Sequence, residues 1–396
     1  MRTTEIKLTK RIKIPDDIKL ERYRKTPGLG PKILFFSGGS ALKDISRHLI
    51  EYTHNSIHLI TAFDSGGSST KLRDAYGMLA IGDLRNRLMA LADQSLKGNH
   101  EVFRLFSYRF SKDADPIELF DRLLEMSKGN NELIENIGEP MQSIICSHLM
   151  HFIEMMQKDF DLRGASIGNL VLTGGFLTNN RKIDPVIFTF SKLVEARGIV
   201  KPITYKSLHL ITELENGEVL IGQHLLTGRE VEPIQSPVKN IYISKKKDRP
   251  EPYQISIKPD VKKMIETADL ICYPVGSFYS SVLANLLLDG VGRSISNNGC
   301  PKIYIPNTSP DKEQIGLNLF QQAQKIISTL NKNQDYLINS LLNYIVIDSK
   351  IQYPFELKLN KIKKMGIKII DIDLISEESK PFVDPAKTNK LLLSLS

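Results

Sequence analysis

Tryptophan, paired cysteines and long apolar runs are missing from this sequence. Its 396 residues include no tryptophan and three cysteines, Cys146, Cys272 and Cys300, whose odd number and wide spacing argue against a disulfide framework. No stretch approaches the roughly 18 apolar residues that a membrane-spanning helix needs, and the first residues are charged rather than apolar. We therefore expect a cytoplasmic protein with no membrane partner.

The motifs of several common enzyme classes are missing as well. Neither G-x-G-x-x-G nor G-x-x-x-x-G-K-[ST] occurs, which argues against an ordinary dinucleotide enzyme and against a P-loop NTPase. Cys146, His148 and His151 lie near one another in the chain but lack a fourth ligand for zinc, so we interpret them as ordinary helix residues. The remaining histidines are scattered and indicate no catalytic Cys/His or Ser/His/Asp set.

The positive charge is unevenly distributed along the chain. The formal net charge is +8, residues 1–31 carry nine Lys or Arg against four Asp or Glu, and a second basic cluster lies at 245–249. Neither segment alternates with aromatic residues or matches a nucleic-acid-binding motif, so we expect no nucleic-acid partner. The breakers Pro-Gly-Leu-Gly-Pro at 27–31 separate a solvated basic arm, residues 1–31, from a domain over 32–396.

Short apolar runs that alternate with helical patterns predict the fold. Ile33–Phe36 is typical of a strand buried on both faces, and a helical pattern separates it from the next apolar run, 57–63. A strand, helix, strand order of this kind predicts a parallel sheet. Further strands are predicted at 269–275, 302–305, 344–347 and 367–372, a β-hairpin at 209–224, and a mostly helical insertion at 112–163. We therefore predict an α/β fold with a doubly wound, mostly parallel, Rossmann-like sheet, a helical insertion and a β-hairpin.

Turns rich in glycine and hydroxyl residues follow several of the predicted strands. Because the carboxyl ends of strands in a doubly wound sheet line one crevice, these turns are expected to present helix N-termini to a phosphorylated ligand. Asp64, at a strand end, is the candidate catalytic residue and the candidate ligand of Mg²⁺. The candidate phosphate- and nucleotide-binding residues are Ser37, Gly38, Gly39, Ser40, Gly66, Gly67, Ser68, Ser69, Asp83, Arg85, Asn86, Gly168, Asn169, Gly276, Ser277 and Asn307.

Each of these turns has an ordinary alternative interpretation, because glycine-serine turns after strands commonly serve chain geometry alone. Arg85, near a helix start, could clamp a phosphate with two hydrogen bonds. Asn86 or Asn169 could contact a sugar or a base. The prediction of a phosphorylated ligand depends on these features occurring together.

The order of these segments resembles that of the CofD/YvcK family, the 2-phospho-L-lactate transferases and the relatives called gluconeogenesis factors. The resemblance runs from about Lys32 to the C-terminus, where Phe382–Pro385 also fits. The segments that are similar to family motifs are 37–40 (GGTG-like), 64–73 (DDGGSSG-R-L-R-like), 80–86 (PPGDIRN-like), 164–170 (GNSVGNL-like) and 275–282 (GPGSLYTSV-like). The match is closer to the YvcK-like branch, because the Gly-Gly-Ser-Ser and Gly-Asp-Leu-Arg-Asn segments belong there more than to the transferases.

The resemblance implies one of two activities that share a site. In the YvcK-like branch it implies a protein that binds nucleotide sugars such as UDP-sugars and regulates carbon or envelope metabolism. In the transferase branch it implies a magnesium-dependent transfer of a phospholactyl-type group from a guanosine diphosphate ester to a deazaflavin. Ser65 replaces the second Asp of the family's pair, which weakens the case for a metal site. The extra segments 112–163 and 1–31 suggest a distinct subgroup, such as the CofD-like proteins of bacterial gene clusters with ATP-grasp enzymes.

Our leading hypothesis is a binding protein for a nucleotide diphosphate sugar or a related nucleotide diester, with the phosphates on the turns at 37–40 and 66–69. The alternative is a magnesium-dependent phosphotransferase of the 2-phospho-L-lactate transferase type, in which an acceptor hydroxyl attacks the distal phosphorus and a nucleoside monophosphate leaves. A third hypothesis assigns the function to the insertion and the basic arm, and treats the crevice as a scaffold. The sequence leaves open whether turnover occurs, and it is compatible with a homo-oligomer.

Overall fold

The apolar runs of the sequence form a seven-stranded sheet in which every paired neighbour is parallel. The structure, a computed structural model, describes residues 11–63, 66–228, 232–332 and 334–396. The strands within these ranges are β1 (Ile33–Ser37), β2 (Ile57–Ile60), β3 (Ile199–Pro202), β4 (His209–Leu214), β5 (Val219–Ile221), β6 (Val238–Ser244), β7 (Leu270–Tyr273), β8 (Lys302–Tyr304), β9 (Tyr344–Ile347) and β10 (Lys368–Asp371). The parallel sheet has the order β10-β9-β8-β7-β1-β2-β3, and a smaller antiparallel sheet has the order β5-β4-β6.

The strand order of the parallel sheet reverses between β1 and β7. From β1 the chain proceeds outward through β2 and β3, then returns to place β7 on the other side of β1 and continues outward through β8, β9 and β10. Leu34 of β1 lies opposite Ile57 of β2 and Ile271 of β7. The carboxyl ends of β1 and β7 therefore flank the switch point, where doubly wound sheets bind ligands. The predicted fold class is confirmed.

Both faces of the parallel sheet are covered. Leu34 and Phe36 pack into one apolar cluster, whereas Ile33 and Phe35 pack into another, because successive side chains of a strand lie on opposite faces. The α-helices of the described residues are α1 (Asp17–Lys25), α2 (Lys43–Leu49), α3 (Gly67–Tyr76), α4 (Gly82–Ala90), α5 (His100–Ser107), α6 (Pro116–Ser127), α7 (Met141–Glu154), α8 (Ile167–Thr178), α9 (Ile183–Leu193), α10 (Gln223–Thr227), α11 (Pro259–Glu266), α12 (Ala284–Leu286), α13 (Val291–Asn297), α14 (Leu319–Asn331), α15 (Ile338–Leu341), α16 (Leu359–Lys364) and α17 (Pro385–Leu395). A 3-10 turn lies at Pro27–Leu29 and a π-helical segment at Phe278–Leu283. No helix in the described ranges is long and apolar enough to cross a bilayer.

The segment 112–163 is helical, as its sequence predicts. Its helices α6 and α7 share a third apolar cluster with α8, and α7 lies along α8. Gly175 permits this close approach, because a Cβ there would lie 2.8 Å from His148 Cε1. That the segment is an insertion relative to compact family members stays a prediction.

The described part of the predicted basic arm packs on the protein through one face of a helix. Asp16 caps α1 by accepting a hydrogen bond from the Lys19 backbone N–H at 3.1 Å, and the Asp16 N–H donates to Ser394 Oγ at 2.9 Å. Leu20 is 6% exposed, because α1 lies against α17 in the apolar cluster that includes Ile33 of β1. Helix α1 is therefore attached to the protein through Leu20 and Tyr23, whereas Arg22, Arg24 and Lys25 are exposed, as expected of a solvated arm. The domain boundary at residue 31 stays a prediction.

Three local predictions differ from the structure. Helix α3 begins at Gly67, so that residues 67–69 form the first turn of a helix instead of a loop. Strand β2 ends at Ile60, before the end of its apolar run. The predicted hairpin gains a third strand, β6, which pairs with β4. Strand β6 alternates buried with exposed residues irregularly, so its sequence lacks the clear pattern that would predict it.

Candidate functional site

A crevice of about 310 Å³ lies at the switch point, between the turns that follow β1 and β7. The predicted site residues that line it are Ser37, Gly38, Gly39, Ser40, Gly66, Gly67, Ser69, Asp83, Arg85, Asn86, Asn169, Gly276 and Ser277. Asp64, the predicted catalytic and metal-binding residue, lies outside the described residues, as does the side chain of Ser68. The structure therefore brings most of the predicted residues to one place.

The turn after β1 lies close to its neighbours. A Cβ on Gly39 would overlap Asp83 Oδ1, and a Cβ on Gly38 would overlap Ser281 Oγ. Both positions therefore favour glycine. Arg87, which the sequence did not single out, supports the turn: it is fully buried, and its Nη2 donates to the Gly38 carbonyl oxygen at 2.9 Å. Burial lowers the pKa of Arg87 to about 10, which leaves its guanidinium charged at neutral pH.

The N-terminal turn of α3 forms a second wall of the crevice. Gly66 is the N-cap residue, and Gly67 has a φ of +53°, in the left-handed region that favours glycine. The first N–H groups of a helix and the positive end of its dipole favour an anion. Arg73 holds the other end of α3 in place, because its Nη2 donates to the Leu208 carbonyl oxygen at 2.6 Å.

Two arginines make a further wall positive. Arg85 is 9% exposed, and its guanidinium donates to Ser166 Oγ and, at 2.5 Å, to Asn86 Oδ1. Both partners are neutral, and no carboxylate of the described residues forms an ion pair with Arg85. Burial, and then the neighbouring Arg109 guanidinium, lower the pKa of Arg85 to about 10. Arg109 was not predicted; its Nη1 donates to the Gly164 carbonyl oxygen at 2.6 Å.

Gly168 has a supporting position rather than a place in the crevice wall. A Cβ on Gly168 would lie 2.9 Å from Arg85 Cδ and 2.9 Å from the Phe106 carbonyl oxygen. The absence of a side chain at 168 therefore lets the Arg85 side chain pass. The next residue, Asn169, is 1% exposed and lines the crevice itself.

Asp83 is the only carboxylate among the described residues that line the crevice. It lies in the first turn of α4 and accepts a hydrogen bond from Thr61 Oγ1 at 3.4 Å. In the parts of the chain that the structure describes, no three His, Cys, Asp or Glu side chains form a group that could hold a metal ion. The magnesium site, which depends on Asp64, therefore stays a prediction.

A wider cavity of about 890 Å³ adjoins the crevice and shares Gly276 and Ser277 with it. Asn307 lies in this second cavity. Its Oδ1 accepts from the Gly276 N–H and its Nδ2 donates to the Gly276 carbonyl oxygen, both at 2.8 Å. The Asn307 amide therefore holds the turn after β7. The carboxylates that line the second cavity are Asp44, Asp311, Glu378 and Asp384.

In the helical segment after β7, the N-terminal N–H groups already donate hydrogen bonds to side chains of the protein. Buried Glu313 accepts from the backbone N–H groups of Tyr279 at 2.8 Å and of Ser280 at 2.9 Å. Asp311 accepts from the Phe278 N–H at 2.9 Å. These two carboxyl groups accept the N–H hydrogen bonds that a phosphate would accept at a free helix N-terminus. The turn after β7 is therefore suited to an uncharged part of a ligand.

Helix α10 supplies three crevice residues that sequence reasoning missed, namely Gln223, His224 and Thr227. It overlaps the end of the predicted hairpin, 209–224, because residues 223 and 224 are helical rather than extended. Helix α10 begins after Gly222, whose φ of +108° favours glycine. Gly222 was the available sequence signal that the chain changes direction here. The spacing of the residues after it did not indicate that they reach the switch point.

A doubly wound parallel sheet with a polar, glycine-lined crevice at its switch point places this protein among the Rossmann-like α/β proteins. Within that class the chain belongs to the CofD family: the family model described as 2-phospho-L-lactate transferase CofD matches residues 33–375. The predicted family is confirmed.

Several relatives share most of the chain. The gluconeogenesis factor of Listeria innocua is 26% identical over 356 residues, which cover 88% of this chain and 90% of the relative. The gluconeogenesis factor of Bacillus subtilis is 26% identical over 380 residues, covering 93% and 99%. A crystal structure of a UPF0052-family protein from Bacillus halodurans is similar in fold, with a TM-score of 0.67 at 22% identity, and covers 92% of this chain and 99% of that one.

Proposed function

We propose that the crevice binds the diphosphate of a nucleotide sugar or of a related nucleotide diester. The observation that carries the proposal is Arg85, a buried guanidinium whose hydrogen-bond partners are a hydroxyl and an amide oxygen. A buried charge without a counter-charge is costly, and a phosphate would supply that charge together with two parallel hydrogen bonds. Arg109 strengthens the preference for an anion, because its charge repels that of Arg85.

The walls of the crevice suggest how such a ligand would lie. The diphosphate would contact the turn at 37–40 and the first turn of α3, with Arg85 beside it. Asn169 and the turn at 276–277 would contact the ribose, base or sugar. Phosphates are disfavoured at this turn, because the N–H groups of the helical segment beyond it already donate to Asp311 and Glu313. The name of the relatives, gluconeogenesis factor, supports a regulatory role in carbon metabolism, and the family resemblance extends that role to envelope metabolism.

Arg85→Gln tests the proposal. We expect the variant to bind UDP-sugars or guanosine diphosphate esters about 1.5 to 3 kcal/mol more weakly, because a charged hydrogen bond to phosphate is lost. Titration calorimetry of the purified protein, with and without magnesium, measures the affinities. Arg104→Gln, at an exposed arginine of α5, is the matched control and should bind as the wild type does.

Two results would contradict the proposal. If the wild type binds none of these nucleotides, the crevice has another ligand. If Arg85→Gln binds them with unchanged affinity, Arg85 does not contact the phosphates and the supporting observation is lost.

A phosphotransferase is the second candidate, favoured by the transferase description of the matching family model. An acceptor hydroxyl would attack the distal phosphorus, the bond from that phosphorus to the bridging oxygen would break, and a nucleoside monophosphate would leave. Arg85 and the first turn of α3 would hold the diphosphate in place and stabilise its developing charge. Magnesium would supply further charge neutralisation, with Asp64 as the predicted ligand and Asp83 as the described carboxylate in the crevice.

The calorimetric samples also distinguish the two candidates when they are assayed for nucleoside monophosphate. Magnesium-dependent release would support the transferase, and Asp64→Asn should then abolish it. Tight binding without release would support the binding protein.

A further inference from the structure

Gln223 of α10 carries a buried polar atom that the fold leaves without a hydrogen bond. Its side chain lines the crevice and is 7% exposed. Among the described residues, no donor reaches its Oε1. An amide oxygen that is buried without a donor is costly, and native proteins retain few of them. The arrangement indicates that a bound molecule supplies the donor.

The backbone around Gln223 is held at both ends. Before α10, the Gly222 N–H donates to the Leu210 carbonyl oxygen of β4 at 2.8 Å. After α10, Lys312 Nζ donates to the Gly228 carbonyl oxygen at 2.9 Å. Gly228 also packs closely, since a Cβ there would lie 2.9 Å from Pro233 Cα. Gln223 is therefore presented to the crevice by a fixed element.

Helix α10 lies where the two cavities meet, because Thr227 lines both of them. The crevice has the positive wall of Arg85 and Arg109, whereas the second cavity is lined by four carboxylates and one lysine, Lys312. A diphosphate is favoured in the crevice and disfavoured in the second cavity. A ligand part that passed α10 would therefore be favoured if it were uncharged and rich in hydrogen-bond donors.

We propose that Gln223 is a specificity-determining residue that accepts, at Oε1, a hydrogen bond from an N–H or O–H of the uncharged part of the nucleotide, its base or its sugar. The inference rests on the proposed function, because it takes the diphosphate to lie beside Arg85. Gln223 recognises what is attached to the diphosphate and makes no contact with the phosphates.

Gln223→Met tests this role, because methionine has a similar size and shape but lacks the amide oxygen. Calorimetry would compare inorganic pyrophosphate, the nucleoside diphosphate and the nucleotide sugar, in the uridine or guanosine series that the wild type binds. We expect the variant to bind the nucleotide sugar about tenfold more weakly and pyrophosphate with unchanged affinity. Loss with the nucleoside diphosphate as well assigns the contact to the base or ribose, and loss with the nucleotide sugar alone assigns it to the sugar.

Gln254→Met, at an exposed glutamine, is the matched control and should change none of these affinities. If Gln223→Met does not fold, Gln223→Asn replaces it, because the shorter amide withdraws its oxygen by one methylene and should show the same selective loss.

The outcomes separate this inference from the proposed function. A wild type that binds pyrophosphate but no nucleotide overturns both. A variant that keeps full affinity for the nucleotide overturns the inference alone. Equal losses for pyrophosphate and nucleotide also overturn it, because Gln223 would then only support the structure of the crevice.

Discussion

At the scale of single residues, Arg85 and Arg87 show how two neighbours in the sequence acquire different roles. Residues two positions apart on a helix project about 200° apart, so they face different surroundings. Arg87 lies beneath the turn after β1, with oxygen partners that include Ser46 Oγ at 2.5 Å and the Gly38 carbonyl. Arg85 lies in the crevice wall, with two neutral partners. One arginine therefore supports the turn, and the other faces the proposed ligand.

Gly39→Ala should weaken nucleotide binding. The new Cβ would overlap Asp83 Oδ1, so the turn after β1 would have to shift away from α4. Since such overpacking costs about 1 to 3 kcal/mol, we expect an affinity loss of about tenfold and a lower melting temperature. Calorimetry and thermal unfolding measure both.

Gly28→Ala is the matched control for this change, because no atom lies within 4 Å of the position that its Cβ would take. Equal behaviour of the two variants would show that the turn tolerates a side chain at residue 39.

At the scale of elements, the segment Phe278–Leu283 shows why a glycine turn before a helix does not guarantee a phosphate site. Its first N–H groups donate to Asp311 and Glu313, which come from the loop after β8. At helix α3, the N-terminal residues Gly66, Gly67 and Ser69 line the crevice. The two turns are similar in sequence, but the N–H groups that follow β7 already donate to carboxyl groups of the protein itself.

The buried carboxyl of Glu313 predicts a pH-dependent stability. Burial, and then the charge of Asp311, raise the pKa of Glu313 from 4.5 to about 8. The folded state therefore retains a proton that the unfolded state loses. Glu313 stabilises the fold below pH 4.5, and this contribution is lost as the pH rises through about 8. The expected slope is at most about 1.4 kcal/mol per pH unit.

Glu313→Gln should flatten this dependence, because the amide does not titrate. Urea unfolding between about pH 5 and pH 8 measures the free energy of unfolding for both proteins. Glu378→Gln, at an exposed glutamate, should retain the slope of the wild type. If the slope of Glu313→Gln equals that of the wild type, Glu313 is not the titrating group.

At the scale of the whole molecule, helices from both ends of the chain pack together against the same face of the parallel sheet. Leu20 of α1 and Leu391, Leu392 and Leu393 of α17 belong to the apolar cluster that also contains Ile33 of β1. Helix α17 also packs on α2, which follows the crevice turn of β1. Helix α1 is therefore part of the folded body that supports the site.

Leu20→Ala should destabilise the protein by about 2 to 3 kcal/mol, because it removes buried apolar contacts with α17. Ile18→Ala on the same helix is the matched control: Ile18 is 70% exposed, so its replacement should change the free energy of unfolding by less than about 0.5 kcal/mol. Chemical denaturation measures both. Equal effects would show that α1 is not packed in solution.

The sequence alone was enough to predict most of the parallel sheet, because strands buried on both faces appear as continuous apolar runs. Strands β1, β8 and β9 were predicted to within one residue at either end, whereas the predicted β7 runs two residues past its observed end, Tyr273. The short edge strand β3 and the partly exposed β6 were missed, since neither has a continuous apolar run nor a strict alternation. Helix α1 was missed because its one deeply buried side chain is hidden among charged residues.

The crevice was predicted where its residues follow strands directly, as Ser37 to Ser40 do, because the carboxyl ends of parallel strands meet at one edge. Tertiary structure alone decided that Arg109 and Gln223 join them, since both come from segments whose position depends on packing over long sequence distances. It also decided that Asn307 serves the turn after β7, and that Glu313 occupies the N–H groups beyond it. Local sequence determines which groups could bind an anion. The tertiary structure determines which of those groups already have a hydrogen-bond partner within the protein.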